Sequence, residues 1–171
     1  MCGAGIAGLT VAGQLAERGW DVTLLEAAPE RRTQGYMIDF FGPGYDAAEK
    51  IGILERLREV HYPISEARFV RPNGRSQAVD YSVVAANESG KLMSLMRQDL
   101  EQVLFDVLPD SVDARFGSAV VSVEDRTDYV TAVLADGTRI SADIVVAADG
   151  IHSAVRHDVF GDSAAFDRQL G

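Results

Sequence analysis

A chain of 171 residues, 47% hydrophobic and 25% charged, can bury one core and is too apolar to be disordered. Its formal net charge of −10 argues against nucleic acid, whose phosphates need clustered Lys and Arg, and no apolar run approaches the ~20 residues of a membrane-spanning helix. The one cysteine, Cys2, excludes an internal disulfide and fits a cytoplasmic protein, while His61, His152 and His157 lack the partner spacing of a metal site.

The chain opens Met1-Cys2-Gly3-Ala4-Gly5-Ile6-Ala7-Gly8. Gly3, Gly5 and Gly8 fit G-x-G-x-x-G, the turn between the first strand and first helix of a βαβ dinucleotide fold. The first glycine permits the tight turn, the second lets backbone approach a pyrophosphate, and the third packs helix against strand. A strand takes about 5–6 residues, and only Met1 and Cys2 precede the motif, so the first strand is expected to be missing or vestigial. Leu9 to Gly19 then reads as a helix, with Leu9, Ala12, Leu15 and Ala16 on one face and Gly19 as its stop. Asp21 to Glu26 suits a buried parallel strand. Glu26 ends that strand where an acidic residue can accept hydrogen bonds from both hydroxyls of an adenosine ribose. It disfavours a 2′-phosphate there, so FAD or NAD fits better than NADP.

After Pro29 the text is irregular, with Arg31, Arg32 and Gly35 marking a loop. Gly44 to Ile51 and Ile53 to Val60 read as short helices. Ala67–Val70 and Ser76–Tyr81 read as strands joined by the Pro72-Asn73-Gly74 turn, and Lys91–Met96 as another strand. Phe40, Phe41, Tyr45, Phe69 and Tyr81 are taken as core packing. Gln98 to Leu108 is an amphipathic helix on Leu100, Val103, Leu104, Val107 and Leu108, ended by Pro109. Arg97 opens it, where a guanidinium can hold a phosphate in bidentate fashion; the competing reading is a solvated cation. The dipole gives no reason for a cation at that end.

From Ala119 the period switches to two. Val121 and Val123 pair in phase, followed by Val130, Ala132 and Leu134, the Asp136-Gly137 turn and Thr138–Ser141, a β-meander. Asp143 to Ala148 reads as an apolar strand ending at Asp149-Gly150, and a helix starts near Ser153. A carboxylate at the C-terminal end of a buried strand lies where α/β sheets place ligands, although Asp149 could equally cap a helix or close a turn. Asp110, Asp113, Glu124 and Asp125 read as solvated charges, and no catalytic side chain is assigned.

Taken together, Gly3 to Leu9, Glu26, Gly35-Tyr36-Met37-Ile38-Asp39, Arg97-Gln98-Asp99-Leu100 and Ala148-Asp149-Gly150-Ile151-His152-Ser153-Ala154-Val155-Arg156 follow the order seen in FAD-dependent monooxygenases. The chain resembles the N-terminal half of the para-hydroxybenzoate hydroxylase-like group, the single-component aromatic hydroxylases. The resemblance implies that Gly3, Gly5, Ala7 and Gly8 surround the FAD pyrophosphate and that Glu26 holds the adenosine ribose. It implies that Arg97 contacts FAD, and that Asp149 and Gly150 belong to a second fingerprint for FAD and NAD(P)H. It further implies reduction of the flavin by NAD(P)H and transfer of oxygen from O₂ to a small, electron-rich, often aromatic substrate.

The expected fold is therefore α/β: a Rossmann-like FAD-binding domain with parallel sheet and β-meander, its first strand and C-terminal half apparently missing. Residues 1–171 form that partial domain, with 40–96 an insert contributing to a substrate domain. Gly161-Asp162 only imitates a third family fingerprint, which normally comes much later. Two alternatives stay open: a non-hydroxylating FAD oxidoreductase of the same fold (reductase, dehydrogenase or halogenase), and a non-catalytic remnant. Substrate, choice of nicotinamide and oligomeric state are not legible.

Overall fold

The computed structural model describes residues 1–31 and 34–161. In chain order the elements are α1 (Ile6–Ala16), β1 (Thr23–Leu25), β2 (Met37–Phe41), α2 (Gly42–Lys50), α3 (Leu54–Val60), β3 (Glu66–Val70), β4 (Ser76–Asp80) and α4 (Tyr81–Asn87). There follow β5 (Leu92–Met96), α5 (Arg97–Asp106), β6 (Asp113–Arg115), β7 (Val120–Asp125), β8 (Val130–Leu134), β9 (Arg139–Ala142) and α6 (Ala154–Phe160). They form two compact units, one of Met1–Arg32 with Val107–Gly171, the other of Thr33–Asp106. No described helix is long and apolar enough to cross a membrane.

In the first unit α1 begins earlier than its apolar stripe suggests, because Gly5 in extended backbone (φ −78°, ψ −177°) caps it directly behind the turn. Gly19 is the expected stop. At φ 83° it lets its own N–H reach the Ala16 carbonyl (2.9 Å) and the Trp20 N–H reach Leu15 (3.1 Å), satisfying two end carbonyls. Leu9 and Ala12 are buried on the face that packs against β1.

Met1 to Gly3 take the first strand's place. The Cys2 N–H donates to Val146 O (2.9 Å) and the Gly3 N–H to Leu25 O (2.7 Å). In return Leu25 N–H donates to Met1 O and Ala148 N–H to Cys2 O, both at 2.8 Å. Cys2 is thus bridged in parallel to Leu25 on one side and Ala147 on the other. The apolar run from Asp143 does not form a continuous strand; only Ala147 bridges, since pairing requires a partner along the whole segment. Ile144, further back in the run, is 56% exposed. On its other edge β1 pairs in parallel with β6, Thr23 opposite Asp113 and Leu25 opposite Arg115. That strand is invisible in the sequence because Asp-Ala-Arg carries no apolar pattern of its own.

The meander forms as expected, β7 and β9 flanking β8 antiparallel. Val121, however, does not share a face in phase with Val123. The register shifts between Val120 and Ser122, so two residues of β7 oppose one of β8. Such a bulge re-aims its extra residue, and Val121 is exposed. Gly137 at φ 86° closes the next turn, with Asp136 Oδ1 accepting from Thr138 N–H (2.8 Å).

In the second unit β2 and β5 pair antiparallel in continuous register, Met37 opposite Met96 and Phe41 opposite Leu92. The β5 strand is legible in the sequence; β2 is not, because the turn residues around it mask five strand-compatible positions. Beneath lie Leu57 and Leu95, both fully buried, with Leu100, Val103 and Leu104 from α5. The β3–β4 hairpin closes at Gly74 (φ 80°), whose N–H donates to Arg71 O (2.9 Å). Tyr81 does not extend β4: Asp80 accepts from Ser82 N–H and starts α4, a helix the sequence did not reveal. Of the aromatics assigned to the core, Tyr45 is buried, whereas Phe41 and Phe69 are exposed at 48% and 66%. Phe69 lies in a two-stranded hairpin, too small a sheet to bury its side chains by itself.

Candidate functional site

The glycine turn has the geometry that its spacing implies. Gly3 lies at φ +97°, and a Cβ there would meet Ala148 O at 2.5 Å. A Cβ on Gly8 would lie 1.8 Å from Gly3 O, so only glycine lets α1 approach the turn this closely. Gly5 caps the helix without a side-chain bond, and no acidic residue occupies the first turn. Ala7 is exposed there. The helix therefore presents first-turn amides and the positive end of its dipole with no side chain capping them, which is what an anion such as a pyrophosphate requires. On this observation the residues fit the FAD expected from the resemblance.

Glu26 is tied into the same turn. Its Oε2 accepts from Ala4 N–H at 2.7 Å and its Oε1 from Ala28 N–H at 2.9 Å. The backbone on either side is fixed by Glu26 N–H to Arg115 O (2.9 Å) and Ser118 N–H to Glu26 O (2.7 Å). A carboxylate has about four acceptor positions, so two backbone bonds leave each oxygen able to accept from a ribose hydroxyl. The sequence suggested the ribose contact but not the bond to Ala4, which depends on a turn far away in the chain.

Asp149 caps a helix. Ser153 Oγ donates to Asp149 Oδ1 at 2.5 Å, and Val155 N–H donates to Oδ2 at 3.2 Å. Ser153, which is buried, also accepts from Arg156 N–H (2.9 Å) and caps α6. Asp149 thus secures the start of α6 directly after the segment that pairs with Cys2. Gly150, at φ +88°, makes the reversal between them. Burial pushes the Cys2 thiol above its ordinary value, and the nearby Asp149 charge adds to that rise. Among the described residues no group of three His, Cys, Asp or Glu could hold a metal ion.

Arg97 lies in the second unit, apart in the chain from these groups. Its N–H donates to Tyr36 O at 2.9 Å, which joins the α5 start to the Gly35–Asp39 segment. Its guanidinium pairs with Glu101 one turn on, at 2.6 Å, with the Arg97 side chain 28% exposed. It is therefore neither a freely solvated cation nor a vacant phosphate clamp. Beside it the buried Gln98 Oε1 has no hydrogen-bond partner and lies against Gly35, where a Cβ would come within 2.1 Å of it. Arg32 and Asp162 lie outside the described residues.

The FAD binding domain family matches residues 1–169. An uncharacterized protein of Mycobacterium tuberculosis is 31% identical over 99% of this chain and 46% of its own length. A flavin-dependent monooxygenase of Legionella longbeachae is 31% identical over 92% of this chain and 40% of its own. Another from Phoma sp is 35% identical over 95% of this chain and 40% of its own. Among solved structures, the tetracycline destructase Tet(55) superposes with a TM-score of 0.81 at 29% identity, covering 93% of this chain and 40% of that one. CtdE in complex with FAD superposes at 0.79 and 26% identity, covering 94% and 40%. The chain spans less than half the length of these relatives.

Proposed function

This chain belongs to the FAD binding domain family, and from that premise we propose that it is the FAD-binding portion of a flavin monooxygenase. The reaction is transfer of an oxygen atom from O₂ to a small organic substrate, aromatic or similarly electron-rich, with NAD(P)H as reductant. The observation that carries the reading is the uncapped start of α1 behind a turn that only glycine can build, with Glu26 bonded into the same turn.

In this reading Gly3, Gly5, Ala7 and Gly8 give the pyrophosphate its backbone donors and room for close approach. Glu26 orients the adenosine ribose while its bond to Ala4 holds the turn in shape. Asp149 and Gly150 hold the backbone beside the turn, and Arg97 is the cation that the family resemblance assigns to the cofactor. Bound FAD supplies the redox and oxygen chemistry, leaving the protein to bind, orient and exclude water. A single buried cysteine supports a cytoplasmic setting.

Titration of the chain with FAD, followed by flavin fluorescence and by absorbance of the protein-bound fraction, tests the reading. One flavin per chain is expected. Glu26→Ala should weaken uptake by the ~1–3 kcal/mol of a lost charged hydrogen bond. Absence of flavin uptake would instead support the non-catalytic remnant. For the activity, O₂-dependent oxidation of NADH or NADPH that aromatic substrates accelerate separates a monooxygenase from a non-hydroxylating relative.

A further inference from the structure

We propose that Asp39, held by Ser94 on one face of the β2–β5 sheet, anchors a hydrogen-bond-donating or cationic group of the substrate. The proposal rests on the monooxygenase reading and adds a substrate class: amine- or hydroxyl-bearing rather than carboxylate-bearing molecules.

Asp39 and Ser94 are directly opposed in antiparallel register, so their side chains leave the same face. Ser94 Oγ donates to Asp39 Oδ1 at 2.9 Å. Tyr62 bridges Ser94 from the other edge of β5, its N–H donating to Ser94 O at 2.8 Å, which puts its ring in the same row. At the start of α4 the Tyr81 phenol has its pKa raised, chiefly by Asp39. The Ser94 hydroxyl thus fixes the carboxylate, and among the described residues no Lys or Arg forms an ion pair with it.

The surroundings are apolar and open. Met37 and Phe41, two residues to either side of Asp39 on the same face, are 46% and 48% exposed, and Tyr62 is 45% exposed. A few convergent polar groups amid apolar and aromatic side chains are the usual composition of a small-molecule site. A purely structural cross-strand pair would need no charge, because two neutral side chains could make the same bond. A carboxylate with spare acceptor positions attracts an ammonium or hydroxyl and repels another carboxylate.

The test compares three probes of one shape on the whole chain: tyramine, 4-ethylphenol and 4-hydroxyphenylacetate, by calorimetry and saturation-transfer NMR, with FAD titrated in parallel. Tyramine should bind about tenfold or more tighter than the acid, with 4-ethylphenol between them. Asp39→Asn should erase the difference without changing FAD uptake. Equal affinities, no binding of any probe, or a preference that survives Asp39→Asn would overturn the proposal. Should that variant not fold, Ser94→Ala must reduce the amine preference, and no change overturns it. Amine preference without flavin uptake refutes the cofactor reading alone, whereas flavin uptake without amine preference refutes the anchor alone.

Discussion

Gly8 and Gly150 are both conformationally special, for different reasons. At Gly8 the obstacle is space: an added methyl group would meet the Gly3 carbonyl at 1.8 Å, and that carbonyl is backbone and cannot swing aside. At Gly150 nothing lies within 4 Å, and the obstacle is φ +88° alone. Gly150→Ala should therefore cost about the 1–2 kcal/mol of a left-handed non-glycine residue. Gly8→Ala must displace α1 from the turn and should cost more, at or beyond the ~3 kcal/mol upper range of overpacking. Urea unfolding midpoints check the order, and a milder effect at Gly8 than at Gly150 would contradict the packing described. At this scale the motif was readable because each glycine answers a local steric demand. Glu26 was half readable: its place at a strand end is a matter of sequence, but its bond to Ala4 is a matter of folding.

Elements were legible where they are self-sufficient. The α5 stripe, the Gly19 stop, the Asp136-Gly137 turn and the hairpin about Gly74 all rest on neighbours a few residues away. The strands β2 and β6 and the helix α4 are not legible, and the run from Asp143 looks more strand-like in sequence than it is in the fold, because partners distant in sequence decide them. The bulge at Val121 is of the same kind. It alters the meander's outer face, where Glu124 receives Arg126 from the same strand end and Arg139 from across β8, at 2.7 and 2.6 Å. These charges were expected to be merely solvated. Instead hydrogen bonds from Arg139 first, and then Arg126, hold the Glu124 carboxyl down at about 2. A carboxyl depressed on folding contributes stability above its unfolded value, near 4.3. That contribution fades as pH falls from there through about 2. Arg139→Ala should move the Glu124 titration midpoint upward, as read by side-chain NMR, and added salt should do the same more weakly. A midpoint unmoved by Arg139→Ala would show that the pair does not persist in solution.

Across the whole molecule, the first unit is assembled from both ends of the chain, with Thr33–Asp106 interposed as a second unit. The turn assigned to the pyrophosphate, Gly3 to Gly8, therefore depends on Cys2, whose backbone is bonded to Val146 and Ala148, while the backbone of Glu26, assigned to the ribose, is bonded to Arg115 and Ser118. The sequence could name these residues but not this dependence, which exists only after the ends have met. It has a measurable consequence. A ligand that binds only the folded turn stabilises every segment that must be in place for the turn to exist. FAD at a hundredfold excess over its dissociation constant should raise stability by about 2.7 kcal/mol. Hydrogen exchange should slow together at Ala4 to Gly8, at Leu24 to Glu26 and at Ala147 to Gly150, although Ala147 to Gly150 lie more than a hundred residues from the turn. Protection confined to residues 4–8 would mean that the turn binds as a local loop, and that pairing through Cys2 contributes nothing to the site.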